Sequence, residues 1–323
     1  MILEHMKIFI TGGTGFIGSH LTDLLVKDNN EIASFDASLS FIDNPKYHKR
    51  CLTIRKKYIK NQPQKVYIGD IRNKEKLHKA LKDFKPEVIV HLAGLPMARV
   101  ADKYKPEMSQ INMQGTLNVL DEFEKSDARK IIYTSSSMAY GHFKQFPQSE
   151  SYLLEPTNEY GACKAAGEYF VKLSEKEWVI IRPTSVYGFT DCANRVTQLL
   201  MDRASAKKPA WVIKGETLDF SYVKDTAMGF FKAIKSKRAN KLTFNISRGE
   251  SRSTEELANI YKSYYPKFEF EVKEPDKVQV WRGPLDNTRA NAVLGYEARY
   301  GLEKGIEETL EYVKEFNFYK GLI

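Results

Sequence analysis

Apolar and polar positions along the chain follow two periods that take turns. Lys7–Ile10 is a short apolar run leading into glycines, and Ser19–Lys27 then places Leu21, Leu24 and Leu25 on one helical face. Apolar runs at Glu31–Phe35, closing on Asp36, and at Lys65–Ile68, closing on Gly69 and Asp70, read as the second and third strands. Glu87–His91, Lys130–Thr134 and Trp178–Ile181 supply three more, with helical spacing between them at Lys74–Lys82, Ser109–Glu124 and Tyr160–Lys176. Strands alternating with helices imply crossover units, hence an α/β fold with a Rossmann-type doubly wound parallel sheet covered on both faces. Phe41–Gln64 is longer than such a link needs and reads as an inserted helical excursion.

Beyond Arg182 and Pro183 the alternation weakens. A helix near Asn194–Ala206, a strand at Ala210–Ile213, a helix at Lys224–Ser236 and a strand at Leu242–Ile246 follow. A further helix opens on Ser253, Thr254, Glu255 and Glu256, a capping box with Ser253 as the cap and Glu256 reaching back. The expected division is a Rossmann domain over residues 1–182, returning for roughly 210–240. Residues 183–209 and 241–323 are expected to form a smaller C-terminal substrate-binding lobe over the carboxyl ends of the strands.

Composition adds exclusions. With 42% hydrophobic and 28% charged residues the chain is that of a globular protein rather than a disordered or fibrous one. It has no apolar run of the roughly 20 residues a membrane span needs, and its start lacks the basic-then-apolar pattern of a secretory leader. The expected location is the cytoplasm, where Cys51, Cys163 and Cys192, widely spaced and without metal-type pairing, stay reduced. A net charge of +9 points to anionic partners. The densest basic stretch carries Lys46, Lys49, Arg50, Arg55, Lys56, Lys57 and Lys60. It reads as the solvated face of a surface helix, a nucleic-acid patch being the alternative.

The chemistry concentrates at two places. Gly12, Gly15 and Gly18 follow the first strand and open a helix, so backbone amides and the helix N-terminus can face a pyrophosphate. Asp36, at the end of the next strand, suits the two hydroxyls of a ribose and would repel a 2′-phosphate, which favours NAD over NADP; its structural alternative is a turn cap. Tyr160 and Lys164, four apart on a helix, share one face, and a neighbouring ammonium should pull the phenol's pKa down toward a useful general base. Between the two places lies a serine-rich strand end, Ser135, Ser136 and Ser137.

With these residues together, the sequence resembles the extended short-chain dehydrogenase/reductases, the NAD-dependent nucleotide-sugar epimerase/dehydratase family, over nearly its whole length. The resemblance rests on Thr11 to Gly18, Gly69–Ile71, His91–Gly94, Asn112 with Gly115 and Thr116, Ser135–Ser137, Tyr160–Lys164, Arg182 with Pro183, Val186–Gly188 and Asp219–Val223 before Asp225. It implies a cofactor site of Gly12, Gly15, Phe16, Ile17, Gly18, Asp36, Asp70, Ile71, Leu92, Ala93, Gly94, Tyr160, Lys164 and Pro183, and a catalytic set of Ser136, Tyr160 and Lys164. Substrate contacts are expected from Ser136, Ser137, Ser185, Arg195 and Arg282, and no metal is expected.

Family dehydratases and decarboxylases place acid/base residues just after the catalytic hydroxyl. Ser137 and Met138 stand there instead, which leaves redox at C4 of a nucleotide-activated sugar. The main expectation is a nucleotide-sugar 4-epimerase. The alternative is a 4-dehydrogenase of a capsule or lipopolysaccharide branch, for example on a GDP-heptose, because the segments around Thr190–Val196 and Leu218–Phe220 resemble that branch. A non-catalytic NAD-sensing or RNA-associated protein is the rival outside enzymes. Two departures concern the diphosphate: Ser185 replaces the family's frequent Asn and Leu218 its frequent Arg, leaving Arg195 and Arg282 as candidates. The resemblance also implies a homodimer built on the helices of Ser109–Glu124 and Tyr160–Lys176, with no nucleic acid or membrane partner.

Overall fold

Seven strands pair in parallel into one sheet: β1 (Lys7–Thr11), β2 (Glu31–Asp36), β3 (Lys65–Ile68), β4 (Val88–His91), β5 (Lys130–Thr134), β6 (Glu177–Pro183) and β7 (Leu242–Ile246). Their spatial order is β7-β6-β5-β4-β1-β2-β3. The computed structural model describes residues 5–37, 45–95, 105–275 and 280–322, so Met1–Glu4 and the first residues of the Phe41–Gln64 excursion lie outside it. Neighbouring side chains of a strand point to opposite faces, and both faces here are apolar. Phe9, Ile89, Ile131 and Ile180 meet helices α3 (Lys74–Phe84), α4 (Gly115–Lys125) and α5 (Glu159–Lys172) through Leu77, Val119 and Val171. Ile8, Ile10, Val90, Ile132 and Ile181 meet helix α1 (Phe16–Lys27) and the helix Val223–Lys235 through Leu21, Leu25 and Phe230.

The chain leaves β1 toward β2 on one side and later returns to β4 on the other. Thr11 is therefore registered against both Phe35 and His91, and a crevice opens beyond the carboxyl ends. Gly12 turns into it at φ +77, and a Cβ there would meet the backbone of Ala93 at 3.0 Å. Gly18 lets α1 approach, since its Cβ would fall 2.1 Å from the Gly12 carbonyl.

A third core lies over those carboxyl ends. It holds Phe189, Leu200, Val212, Phe220, Tyr222, Leu257, Tyr261 and Ile306, with Tyr47, Cys51 and Ile54 from the inserted helix α2 (Pro45–Tyr58). The helix after Ser253 has the expected capping box, with Ser253 and Glu256 bonded reciprocally.

Three expectations differ from the structure. Leu242–Ile246, assigned by pattern to the smaller lobe, is the edge strand β7 of the central sheet and pairs with β6 from Val179 to Pro183. Ala210–Ile213, assigned to the returning part of the Rossmann domain, pairs instead with Phe270–Lys273. A strand's partner depends on which sheet edge its faces can cover, which its own alternation does not encode. Finally, α2 is not a free surface helix. Tyr47, Cys51, Ile54 and Arg55 recur at helical spacing and are buried, and the basic excess occupies the rest of its circumference.

α5 is tied to the sheet by charge. Glu168 on α5 and Arg182 on β6 are 0% and 2% exposed and meet in a two-pronged pair, Nε to Oε1 at 2.8 Å and Nη2 to Oε2 at 2.6 Å. The Ser135 hydroxyl donates to the same carboxylate, and Arg182 Nη1 donates to Tyr140 Oη at 2.7 Å. Removing one partner of such a pair strands a buried charge. Glu168→Gln is expected to lower unfolding free energy by about 3–5 kcal/mol in a urea titration, and a change within error would show that the pair does not tie α5 down.

Candidate active site

One cavity of about 1700 Å³ runs from the glycine turn to the third core. Its walls include every residue expected at the cofactor site: Gly12, Gly15, Phe16, Ile17, Gly18, Asp36, Asp70, Ile71, Leu92, Ala93, Gly94, Tyr160, Lys164 and Pro183. Asp36 Oδ1 accepts from the Thr14 amide at 3.2 Å, and Ser34 donates to Oδ2. Burial raises the Asp36 carboxyl pKa, opposed by those hydrogen bonds and by the Arg55 charge. Asp70 is held by Arg72, whose Nη2 donates to Oδ2 at 2.6 Å, which keeps the carboxyl below its ordinary range against a burial effect of opposite sign. Gly94 is closed from behind by Asn112, whose side-chain amide grips both backbone groups of Leu95 at 2.7 and 3.1 Å. The glycine turn, the carboxylate at the end of β2 and the apolar walls in sequence fit a dinucleotide.

Ser136, Tyr160 and Lys164 come together midway along the cavity. Asn158 caps α5, its Oδ1 accepting from the Gly161 amide at 2.9 Å, so Tyr160 stands in the first helical turn and Lys164 one turn on. Lys164 Nζ donates to the Thr134 carbonyl at 2.9 Å and lies 5.9 Å from the Tyr160 ring centre. Ser136 caps the short 3-10 turn Ser137–Tyr140, accepting from the Met138 amide at 3.1 Å, and its side chain is near enough to the Tyr160 phenol to favour its ionised form.

The expected pKa shift is not what the protein alone has. Burial raises the Tyr160 phenol above its ordinary value, with only Ser136 and the Arg195 charge opposing, and it pulls the Lys164 ammonium from 10.5 down to about 8. A shared helical face fixes proximity; the desolvation that outweighs it depends on what else covers the pair.

The expected substrate residues line the same cavity beyond Tyr160. Ser137 donates to Thr184 Oγ1 at 2.9 Å, and Ser185 takes a left-handed backbone at φ 38. Arg195 Nη1 donates to Asp191 Oδ1 at 2.6 Å, while the buried Asp191 Oδ2 has no hydrogen-bond partner among the described residues. Arg282 Nε is likewise buried and has no partner among the described residues, and burial pulls this guanidinium down against the weaker pull of Glu216. Sequence reasoning missed Asp191, and it missed His48, Leu52 and Arg55 on the cavity-facing side of α2. The signal was present: positions 48, 52 and 55 lie on one helical stripe beside the buried Cys51.

Fold, switch-point glycine turn and continuous cavity define a Rossmann-type dinucleotide enzyme. A model of the NAD dependent epimerase/dehydratase family matches residues 8–247, and the chain belongs to that family of NAD-dependent enzymes. It is 31% identical over 322 residues to a putative UDP-glucose 4-epimerase of Methanocaldococcus jannaschii, covering 96% of this chain and 99% of that one. It is 28% identical to the UDP-glucose 4-epimerase of Mycolicibacterium smegmatis, over 96% and 99% of the two chains. Among solved structures, the UDP-glucose 4-epimerase of Thermotoga maritima with UDP-glucose superposes with a TM-score of 0.83 at 26% identity, covering 97% of this chain and 100% of that one. The UDP-glucuronic acid 4-epimerase of Bacillus cereus, with UDP-glucuronic acid and NAD, gives 0.84 at 26%, covering 96% and 100%.

The lowered Lys164 pKa has a consequence for stability. Between about pH 8 and pH 10 the unfolded chain holds the proton that the folded one has released, so stability rises with pH across that window. Lys130, also pulled to about 8 by burial, acts in the same sense. The urea midpoint of the ligand-free protein, followed over this range, is expected to rise less steeply in Lys164→Met than in wild type; equal slopes would contradict the shift.

Proposed function

We propose that the chain is a UDP-sugar 4-epimerase. The observation that carries this reading is the buried Ser136, Tyr160 and Lys164 set at the junction of the two halves of one cavity, with Ser137 and Met138 beside it offering no carboxylate for elimination. The names of the relatives above support the UDP-linked sugar and epimerisation over net oxidation of a GDP-heptose.

Gly12, Gly15, Gly18 and Asp36 would hold NAD, which when bound would supply a hydride acceptor able to return the hydride. Tyr160 removes the proton of the sugar's C4 hydroxyl and later gives it back. Ser136 donates a hydrogen bond to the same oxygen, and Lys164 steadies the phenolate form in which Tyr160 can accept that proton. Arg282 and Arg195 suit the substrate diphosphate, since buried guanidinium groups are costly until an anion answers them. Mixing purified protein with UDP-glucose, UDP-galactose or UDP-glucuronate should interconvert 4-epimers without accumulating NADH; NADH formed in proportion to substrate would instead identify a dehydrogenase. Tyr160→Phe is expected to lower kcat by about 10²–10⁴-fold with the fold intact, and a variant as active as wild type would remove Tyr160 from the mechanism.

A homodimer belongs to the same proposal. Tyr169, Phe170 and Leu173 cluster at the outer end of α5, with 59%, 38% and 76% of their surface exposed, an apolar patch that a second copy would cover. Light scattering is expected to give twice the mass of one chain and to fall toward a monomer in Tyr169→Lys with Leu173→Lys; a monomeric wild type would overturn it.

A further inference from the structure

Arg55 belongs to the inserted helix α2, and only 4% of it is exposed. Among the described residues no carboxylate pairs with it within salt-bridge distance. Its fork is spent on two loops. Nη1 donates to the Thr14 carbonyl at 3.1 Å, inside the glycine turn. Nε donates to Thr190 Oγ1 at 3.2 Å and Nη2 to the Thr190 carbonyl at 2.6 Å, on the loop that follows Gly188. Each loop has an independent mark of function. The Thr14 amide donates to Asp36, on the cofactor side. Thr190 sits at φ +69, a left-handed conformation that a β-branched residue adopts only when its surroundings impose it. The next residue, Asp191, carries the unpartnered buried Oδ2 and holds Arg195. One turn before Arg55, the Cys51 thiol lies 3.9 Å from the Asp191 carbonyl, so α2 grips this loop at consecutive residues.

We propose that Arg55 is a positioning residue that sets the substrate loop around Thr190, Asp191 and Arg195 on the cofactor's glycine turn, so that NAD and the nucleotide sugar bind cooperatively through it. A ligand that orders the Thr14 turn also orders the Arg55 fork and, with it, the strained Thr190. The second ligand then meets a loop whose ordering has already been provided, which is positive coupling without a new contact between ligands. The bridge needs a planar fork with several donors. A lysine keeps the charge but is a single point that reaches one carbonyl or the other.

The inference rests on the nucleotide-sugar reading, and the test separates the two. NADH binding, followed by its fluorescence, is measured on the full-length protein with and without saturating UDP, and UDP binding with and without NADH. In wild type each ligand should tighten the other by the same factor, of order tenfold. In Arg55→Lys each ligand alone should bind within about threefold of wild type while the mutual factor falls toward one, and KM for UDP-glucose should rise more than kcat falls. Arg55→Met should do the same, and Thr190→Gly should weaken UDP alone while sparing NADH alone. Absence of UDP binding to wild type overturns the nucleotide-sugar reading and this inference with it. Mutual tightening that survives in Arg55→Lys, or that is missing in wild type although both ligands bind, overturns this inference alone.

Discussion

The Glu168–Arg182 pair fixes the geometry on which the rest of the site depends. It joins the middle of α5 to the end of β6 and reaches Ser135, at the end of β5, through the same carboxylate. Lys164 and Tyr160 lie one and two turns earlier on α5, Ser136 follows Ser135, and Thr184 and Ser185 follow the end of β6. Two ions this deeply buried are stable only with close geometry and their remaining lone pairs and protons answered, and here the Ser135 hydroxyl donates to the carboxylate while the Tyr140 oxygen accepts from the guanidinium. The apolar faces of the sheet would accept α5 in several slightly shifted positions; the charge pair accepts one. It therefore contributes alignment more than net stability.

Alignment creates the electrostatic problem that the cavity poses. Lys164, Arg195 and Arg282 all line it, and burial works against the charge of each. Among the described residues, Arg195 has Asp191 as a counter-charge, Arg282 feels the weaker pull of Glu216, and burial outweighs every charge that acts on Lys164. Excess positive charge in a closed space favours an anionic ligand whatever its identity, which is how a basic chain obtains affinity for a phosphorylated small molecule without a basic outer surface being the cause.

Much of this was legible in the sequence, and what was legible is what local periodicity encodes. The first six strands, the glycine turn between β1 and α1, the capping box at Ser253 and the Tyr160/Lys164 stripe are each set by spacings of two to four residues, and each is present in the structure. Pairing partners were not legible. Leu242–Ile246 and Ala210–Ile213 are strands by their own pattern, but their exchange of places is decided by sheet edges formed elsewhere in the chain. The sign of the Tyr160 shift was hidden for the same reason: proximity of Lys164 is local, whereas burial is the sum of everything that packs above.

The inserted helix shows how a charge count can mislead. Seven basic residues between positions 46 and 60 suggest a solvated face, yet the one at position 55 is buried, and burial is what gives it something to do. Exposed lysines of α2 keep their charge in water at little cost, whereas the Arg55 guanidinium must satisfy its donors inside the protein. It does so with backbone carbonyls and a hydroxyl from two loops, the glycine turn and the segment after Gly188. The half-satisfied Asp191 completes the argument: one oxygen bonded to Arg195 and the other turned to no donor is a costly arrangement for a buried carboxylate. It persists where the loop is clamped from behind and where a hydroxyl-bearing ligand can supply the missing donor in front.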